Sequence, residues 1–126
     1  MIEILTAPSH VAAFRVQDTL SAEDYDRCLA TIQARLAAHE RIAIFSDLTG
    51  MTGITTEAMG KDLRFALGNI GEFHRFARGA IVTERDWLAR VTKFSALFFP
   101  HTEIRTYHPD ERAAALVWAS EPLAED

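Results

Sequence analysis

Residues 41–70, RIAIFSDLTGMTGITTEAMGKDLRFALGNI, decide the fold class. Ile42, Ala43, Ile44 and Phe45 form a continuous apolar run of the kind that fills a central strand covered on both faces, and the run closes on Asp47. The next stretch, LTGMTGI, carries Gly50 and Gly53 and reads as a Gly-containing loop. Beyond it Thr55 or Thr56 is placed to cap a helix, and Glu57 falls in the first turn, where the helix dipole favours an acid. Met59, Leu63, Ala66, Leu67 and Ile70 recur at helical spacing as one apolar face, and Gly71 ends the helix. A strand, a loop and a capped helix in that order is how an open α/β sheet presents a site at the carboxyl ends of its strands.

The flanks extend the same pattern. Residues 2–6 and 11–17 read as an antiparallel pair of strands around the turn-forming Ala7, Pro8, Ser9 and His10. Ser21 with Asp24 makes a variant capping box, and Tyr25, Leu29, Ile32 and Leu36 follow as a single stripe. On the other side, residues 76–83 read as an inner strand despite Gly79. Thr83 with Asp86 repeats the capping pattern before Trp87, Val91, Phe94 and Phe98, and Pro100 stops that helix. Residues 103–107 make a last strand, and Pro109 with Asp110 and Glu111 starts a last helix carrying Ala113, Leu116 and Val117. The predicted order is ββαβαβαβα: an α/β domain with a single mixed, mostly parallel five-stranded sheet, about four helices and right-handed crossovers. It occupies residues 1–121, with 122–126 as a frayed tail.

Composition narrows the function classes. The chain of 126 residues suits one domain, and its 48% hydrophobic and 25% charged residues are ordinary for a globular protein. The net charge of -5, with basic residues scattered singly, argues against nucleic acid as a partner. No apolar stretch approaches the roughly 18 residues of a membrane span, and no leader pattern opens the chain, so the expected location is cytoplasmic, with peripheral membrane contact left open. Cys28, the one cysteine, sits among apolar helical positions and reads as a packing residue ahead of a reactive thiol. His10, His39, His74, His101 and His108 are dispersed, which predicts neither a metal site nor a cofactor. Walker, G-x-G-x-x-G and G-x-S-x-G motifs are absent, and GMTG at residues 50–53 is too short for a phosphate loop.

Two groups of residues remain as candidates. The polar group is Asp47, able to accept from the following backbone or orient a hydroxyl, with Thr55 and Thr56, whose hydroxyls cap a helix or present a phosphoryl acceptor at its positive end. The apolar group is Phe65, Trp87, Val91, Phe94, Phe98 and Phe99. Phe99 falls about 120° from Trp87 around a helix, too far for one core-facing stripe, and Phe65 projects away from the Met59, Leu63 and Ile70 stripe. Such a surplus suits a hydrophobic ligand cavity, a dimer interface or a membrane-contacting edge.

Three stretches carry a family resemblance: MIEIL with VAAFRV, IAIFSDLTGMTGITTEAMGKDLRF, and FARGAIVTERDWLARVTKFSALFFP. Over nearly its whole length the chain resembles the SpoIIAA-like proteins, small bacterial domains of the STAS superfamily that are also similar in structure to CRAL-TRIO lipid-transfer domains. The anti-sigma-factor antagonists of that superfamily carry a phosphorylated serine in an Asp-Ser-Ser-Gly-like motif at the start of the helix matching Ile54, Thr55, Thr56, Glu57 and Ala58. Thr56 keeps the hydroxyl, whereas the preceding acid and following glycine are missing and Glu57 repels a phosphate. The resemblance therefore implies a non-catalytic module for a lipid or small hydrophobic molecule, ahead of a protein-interaction switch at Thr56. An enzyme using Asp47 as general base ranks third, because a lone carboxylate is not a mechanism. A homodimer is the expected assembly.

Overall fold

The computed structural model describes residues 1–68, 74–84 and 102–123. Five strands lie side by side in chain order: β1 (Ile2–Ile4), β2 (Val11–Leu20), β3 (Ile42–Ile54), β4 (Phe76–Val82) and β5 (Glu103–Tyr107). Only β1 and β2 pair antiparallel; the three other pairings are parallel. Among the described residues the helices are α1 (Ala22–Ala38), α2 (Thr56–Gly68) and α3 (Arg112–Ser120), the last preceded by a 3-10 turn at Pro109–Glu111. The mixed five-stranded sheet expected from the sequence is thus observed. The helix expected after Thr83, and the stop at Gly71, lie outside the described residues.

Strand alternation sends neighbouring residues to opposite faces, and each face has its own core. Val11, Ala13, Ala43, Phe45, Ala80 and Val82 pack against Ala115, Trp118 and Ala119 of α3. Ala12, Phe14, Val16 and Ile42 pack on the other face with Ile32 of α1, joined by Cys28, Leu36, Ile44 and Phe65. Ile42, Ala43 and Phe45 are each at most 1% exposed, as expected of a strand covered on both sides.

Three readings need correction. The stretch 48–54 is not a loop: β3 continues through it, paired with residues of β2 as far as Leu20. Bulges between Arg15 and Gln17 and between Asp18 and Thr19 absorb the mismatch, and Asp18 takes a left-handed backbone, φ 57°, that Asp tolerates better than most residues. Gly50 stands opposite Gln17, whose Cγ would lie 3.3 Å from a Cβ there, so a larger residue would have to push that side chain aside by a few tenths of an ångström. Glycine that reads as a loop signal here permits strand contact.

The inward face of α2 is also displaced from the expected one. Met59 is 56% exposed, whereas Ala58 is fully buried and Phe65 packs into the α1-side core. A shift of one residue turns a helix face by about 100°, which brings Phe65 inward instead of away from the sheet. In α3 the expected Val117 is 67% exposed, and Ala115, Trp118 and Ala119 are the buried set. Leu123, beyond α3, is 6% exposed.

Local capping follows the sequence. Ser21 Oγ accepts from the Asp24 amide and Asp24 Oδ2 accepts from the Ser21 amide, a complete capping box at the start of α1. At the other end Arg75 reaches across from the approach to β4. Its Nη2 donates to the carbonyls of Leu36, at 2.6 Å, and His39, at 2.9 Å, while Nε donates to that of Glu40 at 2.8 Å. Those carbonyls lie at and beyond the negative end of α1, where a cation is favoured. Arg75→Ala should destabilise the fold by about 2 kcal/mol, read by urea unfolding, with Arg75→Lys recovering only part because an ammonium lacks the guanidinium's fork.

Candidate functional site

An apolar groove opens on the α1 and α2 side of the sheet, with a volume of about 360 Å³. Its helical wall is Tyr25, Cys28, Leu29 and Ile32 of α1 with Asp62 and Phe65 of α2; its floor includes Ile44, Ser46, Gly79, Ile81 and Ile104. Gly79, which weakened the strand reading, makes part of the floor flat. A Cβ there would meet only Ile104 Cγ1 at 3.8 Å, an ordinary contact.

The helical wall of the groove carries a side-chain polar pair. Tyr25 Oη donates to Asp62 Oδ1 at 2.5 Å, linking α1 to α2. Burial, then the hydrogen bond to Asp62 and that residue's negative charge, push the Tyr25 hydroxyl far above its ordinary value, so it stays a donor. Burial and Asp62 likewise push the Cys28 thiol up to about 12. Thiolate is therefore scarce at neutral pH, in keeping with a packing residue.

The polar candidates lie elsewhere. Asp47 falls within β3, opposite Arg15 of β2 and Val82 of β4, and its side chain faces α3. It is 1% exposed. Asp47 Oδ1 accepts from the Thr49 hydroxyl at 2.7 Å and the Thr49 amide at 3.1 Å; Oδ2 accepts from Arg112 Nε at 2.6 Å and Arg15 Nε at 3.4 Å. Burial alone would raise the Asp47 carboxyl, but the hydrogen bonds from Thr49 and Arg112, with the Arg112 charge, outweigh it and hold the group below the usual carboxylate range. Both oxygens are engaged and shielded, so the general-base reading of Asp47 lacks an accessible oxygen.

Thr55, not Thr56, caps α2: its Oγ1 accepts from the Ala58 amide at 3.1 Å. Thr56 occupies the first helical position and is exposed. The structure places Phe65 in the groove and Asp47 on the opposite face, so these two candidates do not meet. Trp87, Val91, Phe94, Phe98 and Phe99 lie outside the described residues. No cluster of metal-ligating side chains occurs among the described residues, and no helix among them is long and apolar enough to cross a membrane.

Sequence reasoning missed Asp62, Arg112 and Trp118. A sequence signal existed for Arg112, since a cation in the first turn of a helix opposes the dipole and calls for a carboxylate nearby. Asp62 stands three residues before Phe65, an adjacent position on one helical face. Trp118 carries Arg105 over its ring at 4.4 Å and Arg78 at 5.8 Å.

A parallel sheet opened by one antiparallel hairpin, with α1 and α2 on one face and α3 on the other, defines the SpoIIAA-like α/β fold. The chain belongs to the SpoIIAA-like family, whose sequence profile matches residues 11–120. Among solved structures it is similar to an uncharacterized protein of the DUF3478 family with a SpoIIAA-like fold from Shewanella loihica PV-4. That match has a TM-score of 0.70 and 24% identity, covering 94% of this chain and 92% of the other. It is also similar to the anti-sigma factor antagonist SpoIIAA in its unphosphorylated form, with a TM-score of 0.60 and 14% identity, over 94% and 98% of the two chains. At these identities the likeness speaks to fold. No curated protein matches the chain.

The Asp47 network generates a signed expectation. Because its carboxyl ionises at lower pH in the folded state, Asp47 contributes stability that is complete above the unfolded value of about 3.9 and is lost as pH falls through the folded value. Urea unfolding should therefore show a steeper acid loss in the native protein than in Asp47→Asn. At neutral pH, Arg112→Met should cost about 3 kcal/mol, more than Asp47→Asn, since the arginines can turn to water and the buried carboxylate cannot.

Proposed function

We propose that this protein is a non-catalytic binding module whose groove takes a small hydrophobic or amphipathic molecule. The observation that carries the reading is the groove itself. Its volume, about 360 Å³, falls within the range of small-molecule sites, and its described walls are mainly aliphatic and aromatic, with the Tyr25–Asp62 pair among them. Phe65, singled out as surplus on α2, belongs to that wall. The groups nearest to chemistry are held in unreactive states: a tyrosine kept protonated and a thiol kept from ionising.

Native mass spectrometry before and after solvent extraction, followed by titration of the extracted protein with an alkyl probe monitored by amide NMR, tests this reading. Shifts should concentrate on Cys28, Phe65 and Ile81, and Gly79→Val, which fills the floor, should weaken binding at least tenfold while leaving the unfolding midpoint close to native. Probe shifts spread evenly over the surface, or unchanged in Gly79→Val, would overturn it.

A second reading rests on the exposed hydroxyl of Thr56 at the first position of α2, the helix start that carries the phosphorylated serine in the antagonists this chain resembles. In that reading the protein is a regulatory partner of another protein, and phosphate on Thr56 meets the positive end of the helix but also Glu57. Phosphopeptide mapping of protein from the native host should find Thr56 modified, and Thr56→Ala should alter partner capture; an unmodified chain with unchanged capture would exclude it.

A further inference from the structure

The polar content of the groove is one-sided. Asp62 stands at its rim, and its Oδ1 is taken by the Tyr25 hydroxyl while Oδ2 has no partner among the described residues. The arginine in the lining, Arg78, turns its guanidinium to the opposite face, where it donates to the carbonyls of Trp118 and Glu121. Lys61, beside Asp62 in sequence, pairs with Asp26 at 2.8 Å. Arg64 donates to the Gly60 carbonyl of its own helix. Thr102 Oγ1 donates to the Phe76 carbonyl. Among the described residues, therefore, the groove offers one carboxylate and no cation.

We infer that the groove selects an amphiphile with a cationic head, of the primary-ammonium class, over one headed by a carboxylate or phosphate, and that Asp62 makes the selection. The inference rests on the groove being a ligand site. The apolar tail lies along Ile32, Phe65, Ile81 and Ile104, and the head reaches Oδ2 of Asp62 at the rim. Tyr25 acts as a positioning residue: its hydrogen bond fixes the carboxylate so that the second oxygen is presented without further ordering. The upward push that Asp62 gives both Tyr25 and Cys28 shows its negative field reaching the wall that a tail would line. An anionic head at the same rim meets that field with no compensating cation among the described residues. The chain's net charge of -5 acts in the same direction at longer range.

Because Asp62 is exposed, solvent screens the pair, and the preference is set by attraction in one ligand and repulsion in the other. The test titrates the extracted protein with octylammonium, octanol and octanoate at low and high salt, read by amide NMR. Octylammonium should bind roughly five- to tenfold tighter than octanoate, with octanol between, and salt should compress the series. Asp62→Asn should bring the three affinities together, Tyr25→Phe should narrow their spread, and Glu57→Gln, an equal charge change away from the groove, should leave the order intact. Equal binding of the three probes, or an Asp62→Asn protein that keeps the native order, overturns the inference while the groove remains a ligand site. Failure of all three to bind overturns both readings.

Discussion

A carboxylate at 1% exposure survives inside a protein only when its charge and its lone pairs are met, and Asp47 sets that condition for this sheet. Its partners come from three elements: Arg15 of β2, Thr49 of β3 itself and Arg112 at the start of α3. The demand of one buried charge thus ties the second strand, the central strand and the last helix together. With α3 fixed at its first residue, Trp118 comes to lie against Tyr107 and beneath Arg105. That packing closes the β4 and β5 side of the face, where the strand residues Ala80 and Val82 are small.

The same arrangement divides the molecule chemically. Ionic partners for the sheet gather on the α3 face, and the α1 and α2 face keeps aliphatic and aromatic groups, with the Tyr25–Asp62 and Lys61–Asp26 pairs between the helices. Sheet alternation enforces the division, since residues 43, 45 and 47 of β3 face α3 while 42, 44 and 46 face the other way. A site combining Asp47 with the groove is consequently ruled out by the pleat. The groove instead joins side chains of α1 and α2 to a floor from β3, β4 and β5.

Much of this fold was legible because its signals are local or periodic. The apolar run at residues 42–45, the capping box at Ser21 and the stripe of Tyr25 and Ile32 each follow from spacing alone, and each is observed. Asp47 accepts from the amide and the hydroxyl of Thr49, two residues on, which is within the reach of local reasoning. Its partner Arg112 lies 65 residues away, and no local rule brings the two together. The misread elements share a cause. In residues 48–54, glycines and threonines signal a turn unless a neighbouring strand is present, and β2 supplies one only through two bulges. In α2 and α3 the apolar residues surround more of the helix than one face needs, so Met59 and Val117 competed with Ala58 and Trp118 for the inward position. Alanine carries too little hydrophobic weight to mark the buried side, although its small size is what allows a helix to sit close on a sheet.

That ambiguity bears on the groove. Once α2 is turned so that Ala58 faces inward, Asp62 and Phe65 follow at helical spacing, and the helix delivers an acid and an aromatic to the same opening. Tyr25, buried on the facing stripe of α1, meets the acid, so one hydrogen bond both joins the helices and leaves a carboxylate oxygen at the rim. A pair made only to hold the helices together would serve with both partners fully satisfied inside the core. Here the acid stays exposed beside a groove that lacks a cation among the described residues, and its neighbours Tyr25 and Cys28 are pushed toward their protonated forms. Groups in those states donate and pack. The opening therefore presents a hydroxyl donor and apolar surface beside an exposed carboxylate.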